Sequence, residues 1–384
     1  MKTKFPIAAC IAAAALVLPA GPAVAGSSDQ PTPRTRAEGL ATPLSLAVDA
    51  EESILVTQNF AGLLSRVHDD GTTTTLYQGK EGWDVGGVEM RHGTTYFVES
   101  IGAGVGIPEN LQGHLKSIDE DGDVRTIADL ARYERKHNPD GDQHYGFSDD
   151  VSDKCLEGWP EFPPARYKGT VDSHPYGVAV KGGKAYVADA GANAILEVDL
   201  ESGDISTLAV LPPRPVKIQA ETLVPVDMEG NTMPVPECVV GERYAFEFVP
   251  TDVEFGPDGR LYVTSLPGGP EDPSLGARGA VFRVDPWDGD VHLWADDILT
   301  PTGLAIADNG DIYVASLFGG NILKLSCWGD HRSEFVTVNQ PAAVEFQAGH
   351  LFATVDALSG APAGPGAAPP AEQFNGKVVR IHVD

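Results

Sequence analysis

The sequence predicts an all-β fold, a six-bladed β-propeller whose N-terminal strand closes the last blade. Three observations carry that prediction. One short strand recurs six times, as Ser45-Leu46-Ala47-Val48, Gly87-Val88-Glu89-Met90, Gly177-Val178-Ala179-Val180, Asp252-Val253-Glu254-Phe255, Gly303-Leu304-Ala305-Ile306 and Ala343-Val344-Glu345-Phe346. A second strand follows each copy, as Leu261-Tyr262-Val263-Thr264 follows the turn Gly256-Pro257-Asp258-Gly259, and a third such as Val281-Phe282-Arg283-Val284 closes most copies. Sheet units of roughly 40–50 residues bury too little apolar surface alone and must stack in a ring. Finally, Thr35 to Pro43 lines up with Leu293 to Pro301, an outer strand leading into the next copy, and the chain stops after a third strand at Val383-Asp384. The N-terminal segment is therefore placed to supply the missing fourth strand, which leaves no open edge.

Residues 1–25 read as a secretory signal peptide: a basic start at Lys2 and Lys4, an apolar run from Ile7 to Leu18, and Ala23-Val24-Ala25 as a small-residue cleavage site. Cys10 lies inside the apolar run, away from the cleavage site, so a lipid anchor is not expected. Residues 26–34 form a flexible lead and 35–384 the propeller, with repeats at 42–79, 83–132, 174–212, 249–298, 300–338 and 340–384. Spacings of 90 and 75 residues around the third repeat reveal two insertions, 133–173 and 213–248. Both flank the third repeat and are expected to pack together over one sector of one face. Loops of that length without repeat character are uncommon unless functional or disordered. The stretch Ser359 to Pro370 is rich in Gly, Ala and Pro and is read as disordered.

The formal charge is −28, and −30 once Lys2 and Lys4 leave with the leader. So acidic a surface repels nucleic acid and anionic membranes and keeps an exported, monomeric protein soluble. No second long apolar segment exists, so membrane insertion is not expected. Export permits disulfides. Cys155 and Cys238 each fall in an insertion and are expected to pair, because two irregular loops gain most from a staple; Cys327 is left as a buried free thiol.

Inner strands of a propeller line a central channel, and the turns before the first strand and after the second crowd one of its mouths. The residue before the first strand reads Thr42, Asp84, His174, Val249, Thr300 and Gln340 through the repeats. The residue ending the second strand reads Gln58, Glu99, Asp189, Ser265, Ser316 and Val355. Asp84, Glu99, His174 and Asp189 are thus expected to form one ligand-binding arc over repeats two and three, with Asp252 extending it. Within it, Asp84, Glu99 and Asp189 are candidate ligands for Ca²⁺, and the same groups can act as acid and base. The plainer reading makes them hydrogen-bonded turn residues, Asp189-Ala190-Gly191-Ala192-Asn193 above all. In the first insertion a short helix should end near His137, since Asn138 precedes Pro139. Asp140-x-Asp142 resembles part of a calcium loop but lacks the later Glu. There is no Gly-x-Ser-x-Gly, no His-Glu-x-x-His, no Cys-x-x-Cys and no phosphate-binding glycine loop.

Several stretches resemble the ScyD/ScyE family: Asp172-Ser173-His174-Pro175-Tyr176, Ala188 to Ile195, Leu211 to Pro215, Pro250-Thr251-Asp252-Val253, Leu266 to Gly279 and Arg135 to Gly141. The resemblance spans essentially the mature chain and implies a secreted bacterial propeller, without implying a particular biosynthetic activity. The repeats are also similar to NHL-type propellers and, more distantly, to calcium-dependent lactonases of the SMP-30/gluconolactonase group. Those lactonases begin an inner strand with Glu-Gly-Pro, whereas this chain has Ala41-Thr42-Pro43 and His174-Pro175. The expected function is therefore extracellular binding of a small molecule or an exported protein at the mouth of repeats two and three. The alternatives are a divalent-cation-dependent hydrolase or lactonase using the same residues, and a structural cell-surface module.

Overall fold

The computed structural model describes residues 30–101, 110–160, 163–225, 231–269, 275–327, 331–361 and 374–383. The signal peptide expected over 1–25, residues 26–29 of the expected lead and 362–370 of the Pro-rich loop lie outside the described residues.

The molecule is a β-propeller built from four-stranded antiparallel sheets. Repeats one to five lay their four strands side by side in chain order, because short turns such as Gly256 to Arg260 can join only antiparallel neighbours. The first strands are Ser45–Val48, Trp83–Arg91, Pro175–Lys181, Phe248–Phe255, Pro301–Ile306 and Val344–Gln347. Each packs against the first strand of the next repeat, and Val344–Gln347 packs against Ser45–Val48, so the inner strands form a closed ring. Between neighbouring sheets lie apolar layers; Leu55, Leu64, Val85, Val88 and Phe97 fill the one between repeats one and two.

Arg34–Leu40 pairs antiparallel with Gly376–His382, matching Thr35 with Val379 and Leu40 with Gly376. The outer strand of the last repeat thus comes from the start of the chain. Its inward residues Ala37 and Leu40 are buried with Leu46, Ile54, Phe352 and Val378, side chains drawn from both ends of the propeller sequence.

The insertions are not irregular loops. His144–Phe147 and Arg166–Lys168 from the first join Arg214–Lys217 and Arg243–Phe246 from the second in a further four-stranded sheet. The central pairing, Gly146 to Ala245 and Phe147 to Tyr244, links one insertion to the other. Phe147, Trp159 and Tyr244 pack beneath it, with ring centroids 4.8 to 5.4 Å apart. Cys155 and Cys238 are bonded, their Cα atoms 5.8 Å apart. Cys327 is a free thiol, half-buried where the sequence led us to expect a buried one. No helix among the described residues is long and apolar enough to cross a membrane.

Candidate functional site

The channel has two mouths. At the upper one the first strands begin; both insertions join a fourth strand to the next first strand, so their sheet lies on that face. At the lower one the first strands turn back into the second. The arc predicted from sequence belongs to the upper mouth, and its members fall into separate bonding networks.

His174 and Asp189 are brought together. The backbone N–H of His174 donates to Asp189 Oδ1 at 2.7 Å, and Ser173 Oγ donates to Oδ2 at 2.7 Å. The N–H groups of Gly191 and Ala192 complete the shell of Oδ1, so Asp189 is the buried anchor of a turn. Its ring facing Ser100 Oγ at 3.1 Å, His174 is kept neutral because burial pushes its pKa down to about 4. Asp84 is the register partner of Ser100. Its Oδ2 is buried without a partner, and burial pushes its pKa up to about 7.

Glu99 departs from that arc because successive strand residues point to opposite faces, and Ser100 already faces His174. Its carboxylate accepts Tyr77 Oη at 2.6 Å and pairs with Lys116 Nζ at 2.8 Å, with His114 Nδ1 at 3.4 Å. Burial raises its pKa, but hydrogen bonds from His114, Lys116 and Tyr77 outweigh that and hold it at about 2. Asp252 braces the ring: Oδ1 accepts its neighbour Val253 N–H and Oδ2 accepts Leu304 N–H of the next repeat, both at 2.9 Å. Asp84, Glu99 and Asp189 are therefore not a converging trio, and the Ca²⁺ site expected from them is not assembled.

Three other carboxylates do converge. Glu89, Glu254 and Glu345 lie on the first strands of repeats two, four and six, and their ligating oxygens all fall within 4.8 Å of one another. All three are half-buried and open to the broad depression of the lower mouth, whose rim carries Asp49, Glu51, Asp119 and Asp121. Among the described residues Arg91 forms the ion pair with this cluster, its Nε 2.9 Å from Glu89 Oε1. Burial pushes Glu89 up to about 7, with Arg91 opposing. Glu254 and Glu345 are raised well above the ordinary carboxylate range by burial and by the neighbouring acids, and burial raises Asp252 to about 6. At neutral pH such a cluster must either hold protons or take up a cation.

These glutamates stand inside the repeated strands that reveal the fold, and sequence reasoning passed over them. Their signal is an alternation: the third position of the strand reads Ala47, Glu89, Ala179, Glu254, Ala305, Glu345. Alanine and glutamate alternate around the ring, so three acids meet at the axis while three alanines, all buried, pack between sheets.

No family model and no curated protein matches this chain. Among solved structures it is similar to a putative oxidoreductase (glucose dehydrogenase) from Thermus thermophilus, at 15% identity and a TM-score of 0.53 over 91% of this chain and 99% of that one. It is similar to the gluconolactonase from Xanthomonas campestris, at 14% identity and a TM-score of 0.52 over 96% and 99%. A third likeness is the PQQ-bound aldose sugar dehydrogenase from Streptomyces coelicolor, at 14% identity and a TM-score of 0.51 over 91% and 97%. At these identities the likeness is one of fold, the β-propeller.

Proposed function

We propose that this chain is a secreted, six-bladed β-propeller of the ScyD/ScyE type that binds a divalent cation on its axis. Through that cation it holds an oxygen-rich small molecule entering by the lower mouth. The observation that carries the reading is the meeting of Glu89, Glu254 and Glu345 from alternate repeats. All-carboxylate donors suit a hard cation, Ca²⁺ or Mg²⁺, and a three-carboxylate set leaves coordination positions open for ligand oxygens. Six repeats, each with its own sheet, support the blade count, and the leader together with the Cys155–Cys238 bond supports export.

A second reading, a cation-dependent hydrolase or lactonase, is favoured by one further feature. A cation held by Glu89, Glu254 and Glu345 would keep coordination positions open for a water, and as a Lewis acid it would lower that water's pKa and polarise a bound carbonyl. Calorimetric titration of the chelator-treated protein with Ca²⁺ and Mg²⁺ tests the shared premise. Glu254→Gln with Glu345→Gln should remove one binding equivalent; unchanged stoichiometry and affinity in that variant would end both readings. Where binding is lost, turnover of aldonolactones by the parent, and its absence in the variant, separates hydrolase from binding protein.

A further inference from the structure

A second group of acids lies at the upper mouth, under the insertion sheet, and the channel site makes no use of it. The helix Leu130–His137 ends at Asn138, whose positive φ of 41° and N–H bond to Glu134 O turn the chain back sharply. Asn138 to Gly141 then forms a turn, closed by Gly141 N–H to Asn138 O, which returns Asp140 to the side of Glu134. Asp172 and Asp189 approach from the start and end of the first hairpin of repeat three, and Glu247 from the second insertion. Glu134 is 0% exposed, Asp140 1% and Asn193 2%. Two sets of hydrogen bonds hold them: Asp140 Oδ2 accepts Asn193 Nδ2 at 2.9 Å and Tyr145 Oη at 3.1 Å, and Glu134 Oε1 accepts Asp172 N–H at 3.4 Å, while the charge of Asp140 is felt at Glu134. Gly169 leaves room for the Asp140 carboxylate, since a Cβ there would stand 2.0 Å from Oδ1.

No Lys, Arg or His among the described residues forms an ion pair with any of these acids. The basic groups nearby are engaged elsewhere: Arg135 donates to Leu111 O, Lys168 faces Asp142, His137 stacks on Tyr133, and the His174 ring meets Ser100. What remains over is of one chemical kind. Glu134 Oε2, Asp140 Oδ1, Asn138 Oδ1 and Asn193 Oδ1 are buried without a hydrogen-bond partner: four acceptors, two of them on carboxylates. Burial, then the charges of Asp189 and Asp140, push Glu134 up to about 9, and burial with Asp189 pushes Asp172 up to about 7. Orphaned buried acceptors are rare because each forfeits its hydration.

We propose that Glu134, Asp140, Asn138 and Asn193 form a second cation site, for Ca²⁺, that fastens the first insertion to repeat three. The donor set is all oxygen, part carboxylate and part carboxamide, on an irregular turn. That favours Ca²⁺, which accepts flexible geometry, over Mg²⁺, which demands an octahedron. A bound cation relieves the repulsion among the buried carboxylates and gives the orphaned oxygens a partner. The residues and the mouth differ from those of the channel site, so the two stand or fall separately.

The test uses the full-length protein carrying Glu254→Gln and Glu345→Gln, stripped with chelator and titrated with Ca²⁺, Mg²⁺ serving as control. One Ca²⁺ per chain should still bind, raising the melting temperature, while Mg²⁺ does much less. Adding Glu134→Gln or Asp140→Asn, each nearly unchanged in shape, should weaken Ca²⁺ binding about tenfold or more. In chelator the Glu134→Gln protein should melt close to its parent, because a carboxyl that holds its proton at neutral pH is replaced by a neutral amide of nearly the same shape. Tb³⁺ gives a readout that needs no variant: excitation of Tyr145 should sensitise its emission, and Ca²⁺ should quench it by competition. Absence of Ca²⁺ binding in the channel variant, or unchanged binding in Glu134→Gln and Asp140→Asn, would overturn the site and leave a proton-sharing cluster. A channel variant that binds as much Ca²⁺ as the natural protein would count against the axial site alone.

Discussion

Glu99 and Glu89 are one residue type in one repeat, yet their surroundings move them in opposite directions. Glu99 has a cation and a phenol within hydrogen-bond reach and stays charged near pH 2; Glu89 shares a crowded axis with other acids and is raised to about 7. Glu99→Gln strands the largely buried Lys116 ammonium, so it should destabilise the fold by about 3 kcal/mol in urea denaturation while leaving Ca²⁺ binding intact. Because its folded pKa is depressed, its contribution is present above an unfolded pKa of about 4.3 and is lost as pH falls towards 2. The difference between parent and variant should therefore narrow in acid. Asp84, Glu89 and Asp252 carry the reverse sign. With folded pKa values of about 7, 7 and 6, raised by burial, their stabilisation is complete below about pH 4 and lost as pH climbs through 6 and 7. In chelator the melting temperature should fall between pH 5 and pH 8, each such group contributing at most about 1.4 kcal/mol per pH unit, and Ca²⁺ should restore it. A flat profile would show that these carboxyls ionise freely.

At the scale of elements, the insertion sheet is the part of the molecule that hangs on the ring without belonging to it. Its strands are three or four residues long and are drawn from two segments, with Cys155 and Cys238 separated by 83 residues. A bridge over such a loop is worth about 4 kcal/mol on the chain-entropy model, less here because Phe147, Trp159 and Tyr244 already restrict the same segments. Cys155→Ser with Cys238→Ser should speed hydrogen exchange in 144–168 and 214–246 while the ring strands keep their protection. Uniform loss throughout would mean that sheet and ring unfold as one unit. The contrast between ring and insertion also explains what the sequence discloses. Hairpins such as Asp252 to Val263 are local, with turn residues and alternating apolar positions, so the repeats were legible. The insertion sheet was not, because its strands are short, include Pro215, and pair across nearly 100 residues. The disulfide was legible because it needed only the location of two cysteines. The arc at the upper mouth was read from columns of residues without their facing, and period two sends Glu99 away from Ser100. The axial glutamates required the opposite step, aligning the strands by position and noticing that one column alternates.

On the scale of the whole molecule, stability depends on a ring that has a seam, and the seam is placed within a sheet instead of between sheets. Gly376–His382 would be an open edge without Arg34–Leu40. From that strand the chain runs straight into the first strand of repeat one, and Ala41 N–H bonds Gln58 Oε1 at 2.8 Å on the way. Gln30 reaches further, donating to Glu334 at 2.7 Å and accepting Thr337 N–H at 3.1 Å, so the same segment touches repeat five. One strand thus holds repeats five, six and one. Deleting residues 26–41 removes a ladder, uncovers Phe352 and Val378, and frees the last repeat to leave the ring. The loss should act on every repeat, because the first strands pack against one another in a closed ring. The truncated protein should melt about 10 °C or more below the intact one, with a broadened transition, and Glu254 and Glu345 should no longer bind a cation once the axis loosens. A single sharp transition within a few degrees of the intact protein, with axial binding preserved, would mean that the ring is closed by packing between repeats six and one and that the N-terminal strand only covers an edge.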